Sequence, residues 1–178
     1  FFFKHKPYID GEIVVGEFEK KTIPVQLLID SGGTDSLWLF EDKESGIITP
    51  DDAFDDFIGE GISGGIFGKR SRIESFNLKK FEIERPNVAY LDSGSRMYAR
   101  SLKTRNGSLG GNILRRFNII MDYPNSKITL KKNSNFKDGF YYNMSGIELV
   151  HEGKTLVKEL QTNSFSLADS KVGSKTNK

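Results

Sequence analysis

An aspartate at the end of an apolar run is the residue of this sequence best suited to chemistry. The stretch Leu27–Phe40 reads LLIDSGGTDSLWLF, so three apolar residues lead directly into Asp30, and a second apolar run begins at Leu37. A carboxylate that follows a buried strand is costly unless a neighbouring group pairs or solvates it. The two glycines after Ser31 allow a sharp turn and close packing. The stretch indicates either an ordinary Asp-Ser-Gly turn or a carboxylate held at a site.

The residue types that are missing or rare exclude several other chemistries. The chain has 178 residues and no cysteine, so disulfides, thiolate zinc sites and cysteine nucleophiles are excluded. Its two histidines, His5 and His151, lie far apart in the sequence. This spacing argues against a Ser-His-Asp triad and against a histidine-based metal site. We therefore expect neither a metal nor a cofactor.

Charge is balanced over the whole chain but segregated along it. The 26 Lys and Arg residues nearly match the 24 Asp and Glu residues, so no global field points to nucleic acid or to a membrane. Acidic residues are concentrated between Glu41 and Glu60, and basic residues between Arg96 and Lys137. We interpret the basic stretch as a solvated face, because its aromatic residues are not interleaved as stacking platforms. No apolar run approaches the roughly 20 residues that would cross a bilayer.

Short β-branched and aromatic runs, separated by turn residues, predict an all-β domain that resembles a barrel and has one short helix. The predicted strands lie within Phe1–Phe18 (broken at the hairpin dipeptide Asp10-Gly11), Thr22–Ile29, Ser36–Phe40, Ser75–Phe81, Arg85–Leu91, Asn118–Met121 and Lys127–Leu130.

Two further elements complete the predicted domain. Ile58–Ile73 contains five glycines between strand-forming residues, a pattern typical of a mobile hairpin. Gly110-Gly111 opens a short helical turn in which Ile113, Leu114 and Phe117 fall on one side.

The pattern changes near the C-terminus. We predict one domain over 1–136 and an extension over 137–178. Within the extension, Gly146–Leu160 has alternating apolar residues that favour a hairpin around Glu152-Gly153. Gln161–Lys178 is polar, and we expect it to be disordered.

Three motifs follow one another in the predicted domain: Leu28-Ile29-Asp30-Ser31-Gly32-Gly33 at a strand end, Gly61-Ile62-Ser63-Gly64-Gly65 at the hairpin tip, and Leu109-Gly110-Gly111-Asn112-Ile113-Leu114 before the helix. In this order they resemble the catalytic turn, the flap tip and the Ile-Gly-Arg-Asn-Leu-Leu segment of retroviral proteases. The chain is similar to one subunit of a retropepsin-like aspartic peptidase over roughly Ile9–Lys132.

The resemblance implies a retropepsin-like barrel and an aspartic endopeptidase that cleaves extended peptide or protein substrates. Asp30 would be the catalytic carboxylate, and the Ser31 hydroxyl would brace the loop of a partner subunit. Gly32 and Gly33 would support the catalytic loop. The glycine-rich hairpin would close over the substrate as a flap. Leu109 and Gly110 would brace the loop from below.

Such chemistry needs two carboxylates, because the pair shares one proton. Asp92 also lies in an Asp-Ser-Gly sequence after an apolar run, but Ser93-Gly94-Ser95-Arg96 follows it rather than a second apolar strand. We interpret Asp92 as a turn residue. The second carboxylate would then come from Asp30 of a second copy, so we predict a homodimer with its active site on a two-fold axis.

The sequence departs from the retroviral pattern at one pair of positions. In retroviral proteases an Arg after the conserved Gly pairs with an Asp just after the catalytic turn. Here these positions are Gly111 and Thr34, so both partners are absent. Arg115, Arg116 and Asp35 are the residues that could substitute for the pair.

Two other functions stay open at this point. One is a module of the same fold that binds peptides without hydrolysing them. The other is a plain β domain that serves as an interaction scaffold, with Asp30 in an ordinary turn.

The segment after Asn112 looks closest to bacterial members of the family, some of which carry a PDZ domain. On that resemblance, the C-terminal extension is a possible start of a PDZ-like module, and the absence of cysteine favours an exported or cell-envelope location.

Overall fold

The computed structural model describes residues 1–61, 64–91, 102, 104–142, 155–158 and 172–175, and the chain divides into two compact units, Phe1–Tyr142 and Asn143–Lys178. The first unit ends a few residues beyond the predicted boundary at 136, because the segment after Lys132 still packs on it through Phe136 and Phe140.

Strands dominate the described part of the first unit. They are β1 Phe2–Phe3, β2 Lys6–Val15, β3 Lys21–Ile29, β4 Leu37–Phe40, β5 Phe54–Gly61, β6 Gly64–Arg72, β7 Ser75–Leu78, β8 Phe81–Glu84, β9 Asn87–Leu91, β10 Gly107–Leu109, β11 Phe117–Asp122 and β12 Lys127–Lys132. One α-helix, α1 Gly111–Leu114, and one 3-10 helix, Ser134–Lys137, complete the described elements.

Ten of these strands form one sheet in the order β5-β6-β9-β4-β10-β3-β2-β7-β8, with β1 paired to β2. The all-β class predicted from the sequence is therefore confirmed. The predicted closure of the sheet into a barrel is wrong. The sheet is open, because the end strands β5 and β8 each pair on one side only among the described residues. The retropepsin-like form of the fold stays a prediction.

Alternating burial along β3 explains why the strand that leads to Asp30 forms where it was predicted. Ile23, Val25, Leu27 and Ile29 are buried, whereas the residues between them are exposed or partly exposed. This period of two places one face on the core. Leu27 is completely buried in the main apolar cluster. The strand that delivers Asp30 is thus held by its own side chains.

The predicted break at Asp10-Gly11 is wrong, because β2 runs through it without interruption. Gly11 pairs with Val25 in the antiparallel β2–β3 ladder. A Cβ on Gly11 would lie 2.7 Å from Cε2 of Phe76. The glycine therefore provides room for a buried aromatic ring, and the chain reverses later, between Val15 and Lys21.

The glycine-rich hairpin predicted within Ile58–Ile73 is confirmed as β5 and β6. A small apolar cluster packs this hairpin onto the sheet. Its buried members are Phe40, Ile58, Ala89 and Leu91, and Trp38 and Ile66 pack against them. The β6–β9 ladder covers Gly68–Arg72, whereas Gly64–Phe67 pairs with β5 alone among the described residues. The upper half of the hairpin thus extends beyond its ladder with β9.

The β11–β12 hairpin covers the main apolar cluster from another side. Its inward residues Ile119, Met121, Ile128 and Leu130 pack against that cluster. Both strands and the intervening turn agree with the sequence prediction.

The second unit contains two described strands, β13 Thr155–Lys158 and β14 Val172–Lys175, which pair antiparallel. The predicted turn at Glu152-Gly153 lies outside the described residues. β14 lies in the segment predicted to be disordered, so that prediction is wrong for these four residues. No helix in the described part of the chain is long and apolar enough to span a membrane.

Candidate active site

Asp30 lies at the end of β3, where its backbone and its side chain are both fixed. Its backbone N–H donates to the carbonyl oxygen of Leu109 at 2.9 Å. Its Oδ1 accepts the N–H groups of Gly32 at 3.1 Å and of Gly33 at 3.2 Å. Its Oδ2 accepts no hydrogen bond from the described residues, and the side chain is partly exposed. One carboxylate oxygen is therefore tied to the loop, and the other is available to an incoming group.

The three-residue strand β10 holds the loop from below. It lies between β3 and β4, the two strands that the Asp30 loop connects. Leu109 pairs with Ile29 on the parallel side and with Leu37 on the antiparallel side. Both ends of the loop are thus anchored to one strand. The predicted bracing of the loop by Leu109 agrees with this geometry.

The two glycines after β10 dock against the loop itself. The N–H of Gly110 donates to the carbonyl oxygen of Ser36 at 2.9 Å, and that of Gly111 donates to the carbonyl oxygen of Gly33 at 2.6 Å. A Cβ on Gly110 would lie 2.2 Å from the carbonyl oxygen of Asp35. Backbone meets backbone here, so a side chain has no space and glycine is required.

The remaining loop residues face outward in this single chain. Ser31 and Gly32 are exposed, and Gly33 is partly exposed. A Cβ on Gly32 would meet only Oδ1 of Asp30, at 3.5 Å. The tip of the loop therefore has room above it, which is what a second copy or a substrate would need.

The predicted flap residues are described in part. Gly61 and Gly64 pair with each other at the ends of β5 and β6, while Ile62 and Ser63 lie outside the described residues. A Cβ on Gly65 would lie 3.3 Å from the ring of Phe57 and 3.1 Å from the ring of Phe67. Asp92, interpreted as a turn residue, also lies outside the described residues.

Sequence reasoning missed the residue that links the hairpin to the Asp30 loop. Arg70 of β6 donates through Nε to Oδ2 of Asp56 on β5 and through Nη1 to Oδ1 of Asp35 in the loop. Oδ2 of Asp35 accepts the indole N–H of Trp38 at 2.6 Å. The only sequence signal was a basic residue on a strand beside an acid-rich segment.

The suggestion that Arg115 or Arg116 pairs with Asp35 is wrong, because each has other partners. Arg115 forms an exposed ion pair with Asp138 at 3.4 Å. Arg116 is 1 % exposed, and its guanidinium lies 3.7 Å from the ring centre of Phe140.

Burial corrects the interpretation of the basic stretch as a solvated face for two of its arginines, whereas Arg115, Lys127, Lys131, Lys132 and Lys137 are exposed. Arg105, like Arg116, is buried, and it donates to the carbonyl oxygen of Gly107 at 2.9 Å. Burial lowers the pKa of both arginines from the ordinary value. These two cations are therefore not part of a solvated face.

A groove of about 900 Å³ runs beside the hairpin base and is separate from Asp30. Acidic and aromatic side chains line it, among them Glu41, Asp51, Phe57, Phe67 and Tyr90. The described residues include no group of three or more His, Asp or Glu side chains that could hold a metal ion.

Comparison with known proteins adds no assignment to this geometry. No protein-family model matches the chain, and no curated protein gives a significant match.

Proposed function

We propose that this chain is one subunit of an aspartic endopeptidase, with Asp30 as its catalytic carboxylate. One observation carries the proposal: β10 lies between the strands on either side of the Asp30 loop, and Gly110 and Gly111 dock against that loop. An ordinary surface turn needs no such support. A site that must hold one carboxylate in place needs this support, because a misplacement of about 1 Å can cost about 100-fold in rate.

The chemistry follows from two such carboxylates that share one proton across a water molecule. The ionised Asp30 takes a proton from the water, and the protonated Asp30 of the second copy donates to the carbonyl oxygen of the substrate. The water oxygen attacks the carbonyl carbon, and the proton taken up by the first carboxylate passes to the leaving amine. The N–H groups of Gly32 and Gly33 hold Oδ1, which fixes the orientation of the carboxylate.

The exposed loop tip supports the need for a second copy. Ser31 and Gly32 are exposed, and a two-fold contact through them would bring the two Asp30 side chains together. Among the described residues, Asp30 has no carboxylate partner in its own chain, so a single chain supplies half of the catalytic pair.

Asp30→Asn tests the proposal. The two backbone N–H donors can still bond the amide oxygen, so the fold should persist, while proton transfer is lost. With unfolded casein and a library of fluorescence-quenched peptides as probes, we expect cleavage to fall by about 10²-fold or more. The control is Asp10→Asn, at an exposed acid on β2 whose side chain accepts a hydrogen bond from Gln26. Full activity in Asp30→Asn would refute the assignment.

A statine-type inhibitor gives a second test. It mimics the tetrahedral intermediate, so it should raise the melting temperature of the wild-type protein through preferential binding to the folded state. The same inhibitor should leave the melting temperature of the Asp30→Asn variant unchanged. A scaffold domain with Asp30 in an ordinary turn would show no shift in either protein.

A further inference from the structure

Arg70 connects three parts of the chain that are distant in sequence. Its guanidinium bonds Asp56 on β5 and Asp35 in the Asp30 loop, while its own backbone lies on β6. Only 14 % of the Arg70 side chain and 15 % of the Asp35 side chain are exposed. A planar guanidinium that bonds two carboxylates fixes direction as well as distance, which a flexible ammonium does not.

Asp35 is held by hydrogen bonds to both its side chain and its backbone, so a shift of its side chain would also shift the Asp30 loop. Its second oxygen accepts the indole N–H of Trp38. Its carbonyl oxygen accepts the N–H of Asn112 at 3.2 Å and lies against Gly110. The side chain that Arg70 binds thus belongs to the same packed unit that supports Asp30.

The electrostatics favour a permanent link. Burial of the Arg70 guanidinium opposes its charge, but hydrogen bonds and charges from Asp35 and Asp56 outweigh this effect and raise its pKa above the ordinary value. Arg70 is therefore charged at every physiological pH, and pairs shielded from solvent are screened little by salt.

The position of Arg70 in the hairpin is equally specific. It pairs with Ala89 within the short β6–β9 ladder, close to the point beyond which the hairpin leaves the sheet. Ile58 and Ile66 pack the hairpin onto the sheet through apolar contacts. Among the described residues, the ion pair between Arg70 and Asp35 joins the hairpin to the Asp30 loop, while the pair between Arg70 and Asp56 joins the two strands of the hairpin.

We propose that Arg70 is a positioning residue that couples the hairpin to the Asp30 loop through Asp35. Hairpin closure on a peptide would then act on the loop that orients the catalytic carboxylate. This role rests on the proposed function, because it concerns the same site. Arg70 itself bonds Asp35 and Asp56 rather than Asp30.

Arg70→Met tests the link, with Lys69→Met as the matched control. Lys69 is the neighbouring cation on β6, and its ion pair with Asp55, at 3.5 Å, is exposed. Both variants remove one positive charge from β6, but only Arg70→Met removes the ion pairs with Asp35 and Asp56. Trp38 is the only tryptophan of the chain, so its fluorescence reports directly on the environment of Asp35.

We expect Arg70→Met to change the Trp38 emission and to speed amide exchange in β5 and β6 by 10-fold or more. Lys69→Met should leave both unchanged. Asp35→Asn removes the negative charge on the loop side of the link but keeps the Arg70–Asp56 pair, so it serves if Arg70→Met fails to fold, and it should give the same two effects in weaker form. Unchanged emission and exchange in both link variants would overturn the proposal.

Peptide cleavage then separates this inference from the proposed function. We expect kcat of Arg70→Met to fall about 100-fold, with the double variant Arg70→Met/Asp35→Asn no worse than the single ones. Arg70→Lys should recover only part of the loss, and full recovery would overturn the role of the two-pronged guanidinium. A wild-type protein that cleaves none of the probe peptides refutes the proposed function, while fluorescence and exchange still decide the link.

Discussion

Gly110 and Asp35 meet backbone to backbone: a Cβ on Gly110 would lie 2.2 Å from the carbonyl oxygen of Asp35. The N–H of the same glycine donates to Ser36, so the contact cannot open without losing a hydrogen bond. This backbone contact holds the Asp30 loop against the end of β10.

Gly110→Ala should therefore destabilise the protein and displace the loop. The new methyl group meets fixed backbone, so we expect a loss of about 3 kcal/mol in the free energy of unfolding. Urea unfolding followed by Trp38 fluorescence measures the change. The control is Gly32→Ala in the same loop, where the added Cβ would make ordinary contact at 3.5 Å. A stable Gly110→Ala protein would contradict the close approach.

Ile58→Ala should loosen the hairpin. Ile58 is 6 % exposed and belongs to the small cluster beneath the hairpin. Truncation of a buried isoleucine costs about 2–4 kcal/mol, and here the loss falls on one element. We expect faster amide exchange in β5 and β6 than in β2 and β3. Phe18→Ala, at a side chain that is 94 % exposed, should change neither the stability nor the amide exchange of the hairpin.

Arg116→Met should be among the most damaging substitutions outside the site. The guanidinium bonds the carbonyl oxygens of Asn112 at 3.0 Å and of Gly139 at 3.2 Å, so a methionine would leave buried acceptors without donors. We expect a loss of about 3 kcal/mol in the free energy of unfolding. Arg115→Met, at a side chain that is 49 % exposed, should cost less than about 1 kcal/mol. Equal losses in the two variants would disprove the structural role of Arg116.

The Asn125 side chain lowers the pKa of the Asp122 carboxyl, helped by the Asn125 backbone N–H. A carboxyl whose pKa is lowered on folding adds stability above its unfolded pKa, and this stability is lost as the pH falls through the folded value. Asn125→Ala should raise the pKa of Asp122 toward the ordinary value in an NMR titration. Asn118→Ala, at an exposed residue of the same hairpin, should leave the pKa of Asp122 unchanged.

Peptidase activity should fall on dilution in a second-order manner. Each chain contributes one Asp30, so the rate should scale with the square of subunit concentration once dimers dissociate. Sedimentation measured over the same concentrations identifies the dissociation range. A rate that scales linearly through that range would contradict the shared site. A persistent monomer that binds a statine peptide without cleaving peptides would favour a binding module.

Sequence patterns predicted the elements whose signals are local. The alternating apolar residues of β3, the glycine-rich β5–β6 hairpin and the short helix after Gly110 each lie where the pattern indicated. Their residues contact near neighbours, or a core face that alternation alone defines. The Asp30 loop was found in the same way, from a strand that ends in Asp-Ser-Gly-Gly.

The misses share a different cause, since each depends on a residue distant in the sequence. Asp10-Gly11 has turn chemistry, but pairing with β3 and the ring of Phe76 override it. Arg116 is of a residue type that usually lies at the surface, and only the fold shows that carbonyl groups surround it. Arg70 and Asp35 are 35 positions apart, so no window of the sequence joins them.

The insertion of β10 between β3 and β4 has a consequence for how the molecule is made. Leu109 pairs with Ile29 and Leu37, which leave the ribosome far earlier. Until Gly107–Leu109 has been synthesised, those two strands flank a gap one strand wide, and the Asp30 loop has nothing beneath it. Amino-terminal fragments that end before this strand would carry Asp30 yet lack the strand that fixes its loop. A newly made chain therefore cannot hold Asp30 in place until its synthesis is well advanced.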